Sequence, residues 1–185
     1  MQDRPKSHVS ETNESNLLKW RVFMLGNGHP VLPSQSQHFC ETARKSALDE
    51  DNACFKWFKR GMATAAEMIA YGVMDFKTSS ESNKPRTLLA KSSLPKWCMF
   101  VLGNGCPVSP SQSRHFCETT ISGVLDENNI CEAYAKIGKA VMVEAIARGT
   151  MDFEIEPEII IHQAWHDIHN ISNKPNKLTD VMKVV

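Results

Sequence analysis

Histidine and cysteine residues recur at matching positions in two parts of this chain of 185 residues. Both side chains bind Zn²⁺ in tetrahedral geometry, so a histidine can replace a cysteine in a zinc site. The spacing lacks the paired cysteines of a zinc finger, and a buried cysteine can instead act as a small hydrophobic residue. We therefore expect no cofactor, with zinc as the alternative. The candidate zinc ligands are His29, His38, Cys40, Cys54, Cys106, His115, Cys117 and Cys131.

The neighbouring residues His38, Cys40 and Glu41 supply the residue types of a cysteine nucleophile, its base and an orienting group. Closeness in sequence does not create the geometry of a catalytic triad, which depends on the fold. The chain also lacks a phosphate loop, a dinucleotide fingerprint, a nucleophile elbow and an HExxH motif. We predict no catalytic residues and expect that the protein is not an enzyme.

A run of alternating aromatic and basic residues is the first candidate for a partner-binding surface. It places Lys56, Lys59 and Arg60 around Trp57. An aromatic ring flanked by cations is typical of binding hot spots for proteins and of stacking sites for nucleic acid. Because Phe58 is expected to face the core, the spacing predicts that the three cations point outward with Trp57 at the edge.

A second candidate lies near the C-terminal end of the chain. Trp165 belongs to an apolar stripe that lies beside three histidines spaced along one helical face, His162, His166 and His169. Such a face can chelate a metal, but an amphipathic helix with a histidine-rich flank is the simpler interpretation. We predict that Trp165 binds a partner, which is either one of the repeats or another subunit.

An internal duplication determines where these residues lie. Residues 19–76 align with 96–153 without a gap at an offset of 77, and 33 of the 58 aligned positions are identical. Identity at this level indicates a common origin and a common fold. The predicted organisation is a disordered arm at 1–18, repeat modules at 19–76 and 96–153, a linker at 77–95, and an extension with one helix at 154–185.

The hydrophobic pattern predicts a strand–helix–helix unit in each copy, with a second short strand where the Met-Asp-Phe sequence ends it. Trp20–Leu25 is predicted as a buried strand, and Ser34 and Asp49 as N-caps of the two helices. Gly61 and its counterpart Gly138 lie within the second helix of their copies, which predicts either close packing of helices or a kink there. The predicted fold class is α+β, mainly α, with two tandem modules and a C-terminal helix.

Composition limits the location and the classes of partner. The 21 basic and 21 acidic residues give zero net charge, which disfavours a dedicated binder of polyanions. No stretch approaches the roughly 20 apolar residues of a membrane span, so we expect no membrane partner. The N-terminal residues lack the apolar core of a secretory signal, so we expect a cytoplasmic protein whose cysteines are thiols or metal ligands first and disulfides second.

Polar residues that both copies keep, without an evident capping or turn function, suit a binding module better than an enzyme. We predict a non-enzymatic adaptor or regulatory protein that binds another protein through two diverged modules. The alternative is a regulator that binds nucleic acid, with structural zinc in each module. Acidic residues at the start of the second helix disfavour contact with phosphates. A homodimer is a further alternative.

Overall fold

The computed structural model describes residues 20–76, 96–125 and 127–172, so the predicted arm and linker lie outside the described ranges. The first copy contains strands β1 and β2 and helices α1 and α2, and the second copy contains β3, β4, α3 and α4, followed by α5. The strands are Phe23–Met24, Pro30–Val31, Phe100–Val101 and Pro107–Val108. The helices are Pro33–Leu48, Ala53–Tyr71, Pro110–Leu125, Ile130–Arg148 and Pro157–Ser172.

The predicted fold class is confirmed, because the described residues form a mainly helical protein with one small antiparallel sheet. The predicted helix in the C-terminal extension is α5. The strands are shorter than predicted: β1 covers two residues of the apolar run, and the Met-Asp-Phe sequences form no strand. None of the described helices is long and apolar enough to cross a bilayer.

One sheet contains strands of both copies, and a pseudo-twofold axis relates the copies to each other. Its strand order is β2-β1-β3-β4, and every neighbouring pair is antiparallel. At the centre Met24 of β1 pairs with Val101 of β3, its own counterpart at the offset of 77. The two copies of this strand therefore pair with each other, as the equivalent strands of an isologous dimer would.

Helices α2 and α4 cross at the glycines that both copies retain. A Cβ atom on Gly61 would lie 2.1 Å from the carbonyl oxygen of Ala135, and one on Gly138 would lie 2.3 Å from that of Phe58. At the offset of 77, Gly61 corresponds to Gly138 and Phe58 to Ala135, so the same pseudo-twofold axis relates the two contacts. The predicted close helix packing at these glycines is confirmed.

The end of each copy packs into the core of the other. Phe76 contacts Phe100 at a ring-centroid distance of 5.6 Å and also packs on Phe116. In the same way the ring of Phe153 lies 5.6 Å from Phe23 and 5.5 Å from that of Phe39 (centroid distances). Buried residues of both copies consequently form one continuous core cluster.

The helix starts differ from the prediction. Asn52 caps α2 by accepting a hydrogen bond from the backbone N–H of Phe55, and Asn129 caps α4 in a related way. Helix α1 begins at Pro33, and the side chain of Gln35 accepts a bond from the backbone N–H of Leu32. Ser34 and Asp49 are therefore not N-caps. Asn, Ser and Asp can all cap helices, and the path of the chain decides which of them does so.

Several retained polar residues stabilise the scaffold. The Asn27 side chain donates to the carbonyl of Gly149 at 2.9 Å, and Asn104 donates to that of Gly72 at 2.7 Å. Both glycines end their helices in the left-handed conformation, which glycine adopts at little cost. These bonds connect the turn of one copy to the helix end of the other, so conservation of the asparagines needs no external partner.

Candidate partner-binding site

Helix α5 covers one side of the crossing between α2 and α4. The ring of Trp165 lies between three aromatic side chains, at centroid distances of 4.8 Å from Phe55, 5.3 Å from Phe58 and 5.5 Å from Tyr134. Ile161, one turn earlier in α5, is fully buried. We call the group formed by Phe55, Phe58 and Tyr134 the Trp165 socket.

The opposite side of the crossing carries a pocket with a volume of about 320 Å³. At the offset of 77, the counterparts of the three socket residues are Glu132, Ala135 and Trp57, and all three line this pocket. The pocket is therefore the pseudo-symmetric equivalent of the Trp165 socket. We call it the α4 pocket, and its lining consists of Trp57, Asn129, Cys131, Glu132, Ala135, Lys136 and Lys139.

Two substitutions explain why the α4 pocket has space. Ala135 stands where the socket has Phe58, which removes an aromatic ring from the floor. Glu132 replaces Phe55 and is exposed to solvent. Trp57 supplies the remaining aromatic wall, as Tyr134 does in the socket. The pocket thus keeps one aromatic wall and lacks the two phenylalanine rings that contact Trp165 in the socket.

Charge around the α4 pocket is mainly positive. The guanidinium of Arg60 lies 4.9 Å from the centre of the Trp57 ring, in a cation–π contact. Lys139 replaces Met62 of the other side and lines the pocket. Lys136 forms an ion pair with Glu127, and this hydrogen bond lowers the pKa of the Glu127 carboxyl. Glu132 alone supplies a negative charge to the pocket lining.

The structure places the two predicted partner-binding candidates in different surroundings. Lys56, Trp57 and Arg60 are partly exposed on α2, with Trp57 in the pocket wall. Trp165 is partly buried against the socket, where it contacts Phe55 and Phe58 of the first repeat and Tyr134 of α4. The prediction that Lys59 points outward is wrong, because Lys59 is only 5% exposed.

Lys59 is buried because two groups of the same copy satisfy its charge. Its ammonium donates to the carboxylate of Glu50 at 2.9 Å and lies 4.3 Å from the centre of the Phe55 ring. The hydrogen bond from Lys59 lowers the pKa of the Glu50 carboxyl. The ion pair therefore ties the loop before α2 to the helix, and Lys59 contributes to packing.

We expect Glu50→Gln to lower the free energy of unfolding by about 1–3 kcal/mol at neutral pH, because it leaves the buried Lys59 without its counter-charge. The pKa of Glu50 is lowered in the folded state, so this stabilisation is present above the ordinary carboxyl pKa. It disappears as the pH falls through the lowered value. Urea unfolding at several pH values measures the difference between wild type and variant.

The control is Glu127→Gln in the second copy, where Lys136 is 33% exposed. Water screens that pair, so its loss should cost less than the loss of the buried pair. Equal losses in the two variants at neutral pH, or a Glu50→Gln effect that persists in acid, would contradict the assignment.

The predicted zinc ligands are not brought together. The thiol of Cys40 lies 3.3 Å from the carbonyl oxygen of Ala63, and that of Cys117 lies 3.3 Å from that of Ala140. Both cysteines are completely buried, whereas the predicted co-ligands His29, His38 and Cys106 are exposed. Within 20–76, 96–125 and 127–172 no group of three or more His, Cys, Asp or Glu side chains is arranged to hold a metal ion. The geometry gives the zinc prediction no support.

The cysteine of the alternative nucleophile site is held as a thiol. Burial raises the pKa of Cys40 to about 12 and raises the pKa of Cys117 well above its ordinary value. Since the thiolate is the nucleophile, neither group is activated at neutral pH. The geometry therefore favours a packing function for both side chains.

Sequence reasoning missed Ala135 and Lys139 as site residues. The signal was available in the alignment of the two copies, where Phe58 aligns with Ala135 and Met62 with Lys139. Large apolar side chains are lost at these two positions, which lie one turn apart on α4. The loss indicates that a helix covers this face in the first copy and not in the second. The meaning of this loss depends on knowing where α5 packs.

Comparisons with models of protein families, with curated proteins and with solved structures found no match to this chain.

Proposed function

We propose that the protein is a non-enzymatic adaptor or regulator that binds another protein through the surface around Trp57. The observation that carries this proposal is the α4 pocket, an open site with an aromatic wall on the side of the helix crossing opposite Trp165. Aromatic side chains beside arginine are enriched among residues that dominate binding energy. Trp57 with Arg60 stacked on it has this composition.

The positions that the two copies retain and those at which they differ support the proposal. The retained Asn27 and Asn104 hold the scaffold together, and so do the glycines at the helix crossing. The lining of the α4 pocket differs from that of the Trp165 socket at most positions. A scaffold that is kept while one face changes is typical of a protein whose changed face has acquired its own partner.

The cytoplasm is the proposed location. All six cysteines are free thiols, including the exposed Cys106. Free thiols are retained where the environment is reducing. We propose no membrane partner, and a homodimer is the alternative to binding another protein.

Trp57→Ala is expected to abolish recovery of a protein partner from a lysate of the source organism. The partner should be recovered with wild type and with Leu48→Ala, which changes an exposed apolar residue at the end of α1. Quantitative mass spectrometry of the captured proteins measures the loss, and circular dichroism checks that both variants are folded.

A salt series distinguishes the alternative function. A contact anchored by Trp57 should change little between low and physiological salt, whereas binding to nucleic acid falls steeply because counterions are released. Recovery of nucleic acid with that steep dependence, lost in Trp57→Ala, would replace the adaptor proposal with the nucleic-acid regulator. If no captured molecule depends on Trp57, the proposed surface is wrong.

A further inference from the structure

The two sides of the α2–α4 crossing offer a comparison within one chain. On one side the socket is filled by an indole ring that projects from an amphipathic helix. On the other side the same three positions form an open pocket. The filled side therefore displays the kind of structure that this surface geometry accepts.

The pocket lining indicates how the occupant differs from α5. With Ala135 in place of Phe58, the floor can accept a ring more deeply than the socket does. Ile130, which starts α4 and replaces Ala53, is 60% exposed and lies in sequence between the lining residues Asn129 and Cys131. A helix that inserts one aromatic side chain and lies along this surface would cover both features.

The charges indicate the composition of that helix. Lys139 and Arg60 carry positive charge at the pocket and on the Trp57 ring, and Lys56 precedes Trp57 on α2. Lys136 is already neutralised by Glu127, so Glu132 is the carboxylate that opposes these cations. Carboxylates beside the inserted ring would complement the excess of positive charge.

We propose that the α4 pocket binds an aromatic side chain projecting from an acidic amphipathic helix of a partner protein, in the way that Trp165 of α5 fills the opposite socket. This inference rests on the proposed function and names the kind of partner. Helix α5 already forms such a helix-in-groove arrangement on the opposite side of the crossing.

The probe is a synthetic peptide with the sequence of residues 155–172, which carries Trp165 and has acidic but no Lys or Arg side chains. We expect it to bind the full chain and to shift the NMR signals of the Trp57 indole and of the Ala135 and Lys139 amides. A peptide with Trp165→Ala should produce no shifts at these positions. Shifts confined to the Trp165 socket would mean exchange with α5 and would overturn the proposal.

Two protein variants test the pocket with residues that the opposite side already accommodates. Ala135→Phe restores the residue of the socket floor and should weaken peptide binding by about tenfold or more, because it fills the cavity. Lys139→Met restores the residue of the covered side and should weaken binding at low salt only, since salt screens exposed charges. Peptide binding that Ala135→Phe leaves unchanged would overturn the proposal.

The same variants separate this inference from the proposed function. If Trp57→Ala loses the lysate partner and Ala135→Phe keeps it, the surface is correct and insertion into the pocket is wrong. If Ala135→Phe blocks the peptide but no captured protein depends on Trp57, the pocket binds such helices and the adaptor proposal fails. A dimer of the full chain in ultracentrifugation that Ala135→Phe dissociates would assign the pocket to a second copy and overturn the partner-protein proposal.

Discussion

Gly61→Ala is expected to lower the free energy of unfolding by about 3 kcal/mol or more, which is the upper end of the cost of overpacking. The added Cβ would lie 2.1 Å from the carbonyl oxygen of Ala135, and a backbone atom cannot move aside as a flexible side chain can. Helices α2 and α4 would have to separate along their whole contact. Chemical unfolding followed by circular dichroism measures the loss.

Gly123→Ala is the matched control for this substitution. Gly123 lies within α3, and a Cβ there would meet nothing within 4 Å. Alanine has the higher helix propensity, so this variant should gain up to about 1 kcal/mol. Gly138→Ala, the pseudo-symmetric counterpart, should lose about as much as Gly61→Ala. A stable Gly61→Ala protein would show that the helices do not approach as closely as the structure has them.

Phe153→Ala is expected to cost about 3–5 kcal/mol, as for other large buried aromatic residues. Although it belongs to the second copy, its ring packs on Phe23 and Phe39 of the first. The loss should therefore destabilise both copies together and leave a single unfolding transition. Urea unfolding followed by far-ultraviolet circular dichroism and by tryptophan fluorescence measures the free energy and tests whether the two transitions coincide.

Val73→Ala provides the control, because Val73 follows α2 and is 63% exposed. Its loss should change stability by less than about 0.5 kcal/mol. Phe76→Ala, the counterpart of Phe153→Ala, should behave like the latter. Two separate transitions in Phe153→Ala, with only the second copy destabilised, would contradict the exchange of chain ends between the copies.

The two mutations together test how the duplicated chain is stabilised. The glycines keep the central helices close, and the exchanged phenylalanines make each core depend on the other copy. Modules of this size have little core of their own. Sharing a sheet, a helix crossing and the chain ends provides the buried area that each copy lacks alone.

The sequence by itself determined the features that local patterns encode. The duplication predicted two similar units, and the apolar periodicity predicted their helices and the C-terminal helix α5. Retention of Gly61 and Gly138 predicted close helix packing, because glycine within a helix is costly unless a neighbour needs the space. In each case the signal depends on residues close together in the chain or on positions that the two copies share.

The tertiary structure decided which of two equivalent arrangements the chain adopts. A phenylalanine at the end of a copy gives the same sequence pattern whether it packs on its own core or on that of the other copy. Likewise the sequence predicts Lys59 as a surface residue, whereas the structure places Glu50 and Phe55 around its ammonium group. The α4 pocket depends on Trp57 of the first copy and Ala135 of the second meeting across the helix crossing. Contacts between residues far apart in sequence set these outcomes, and no local periodicity encodes them.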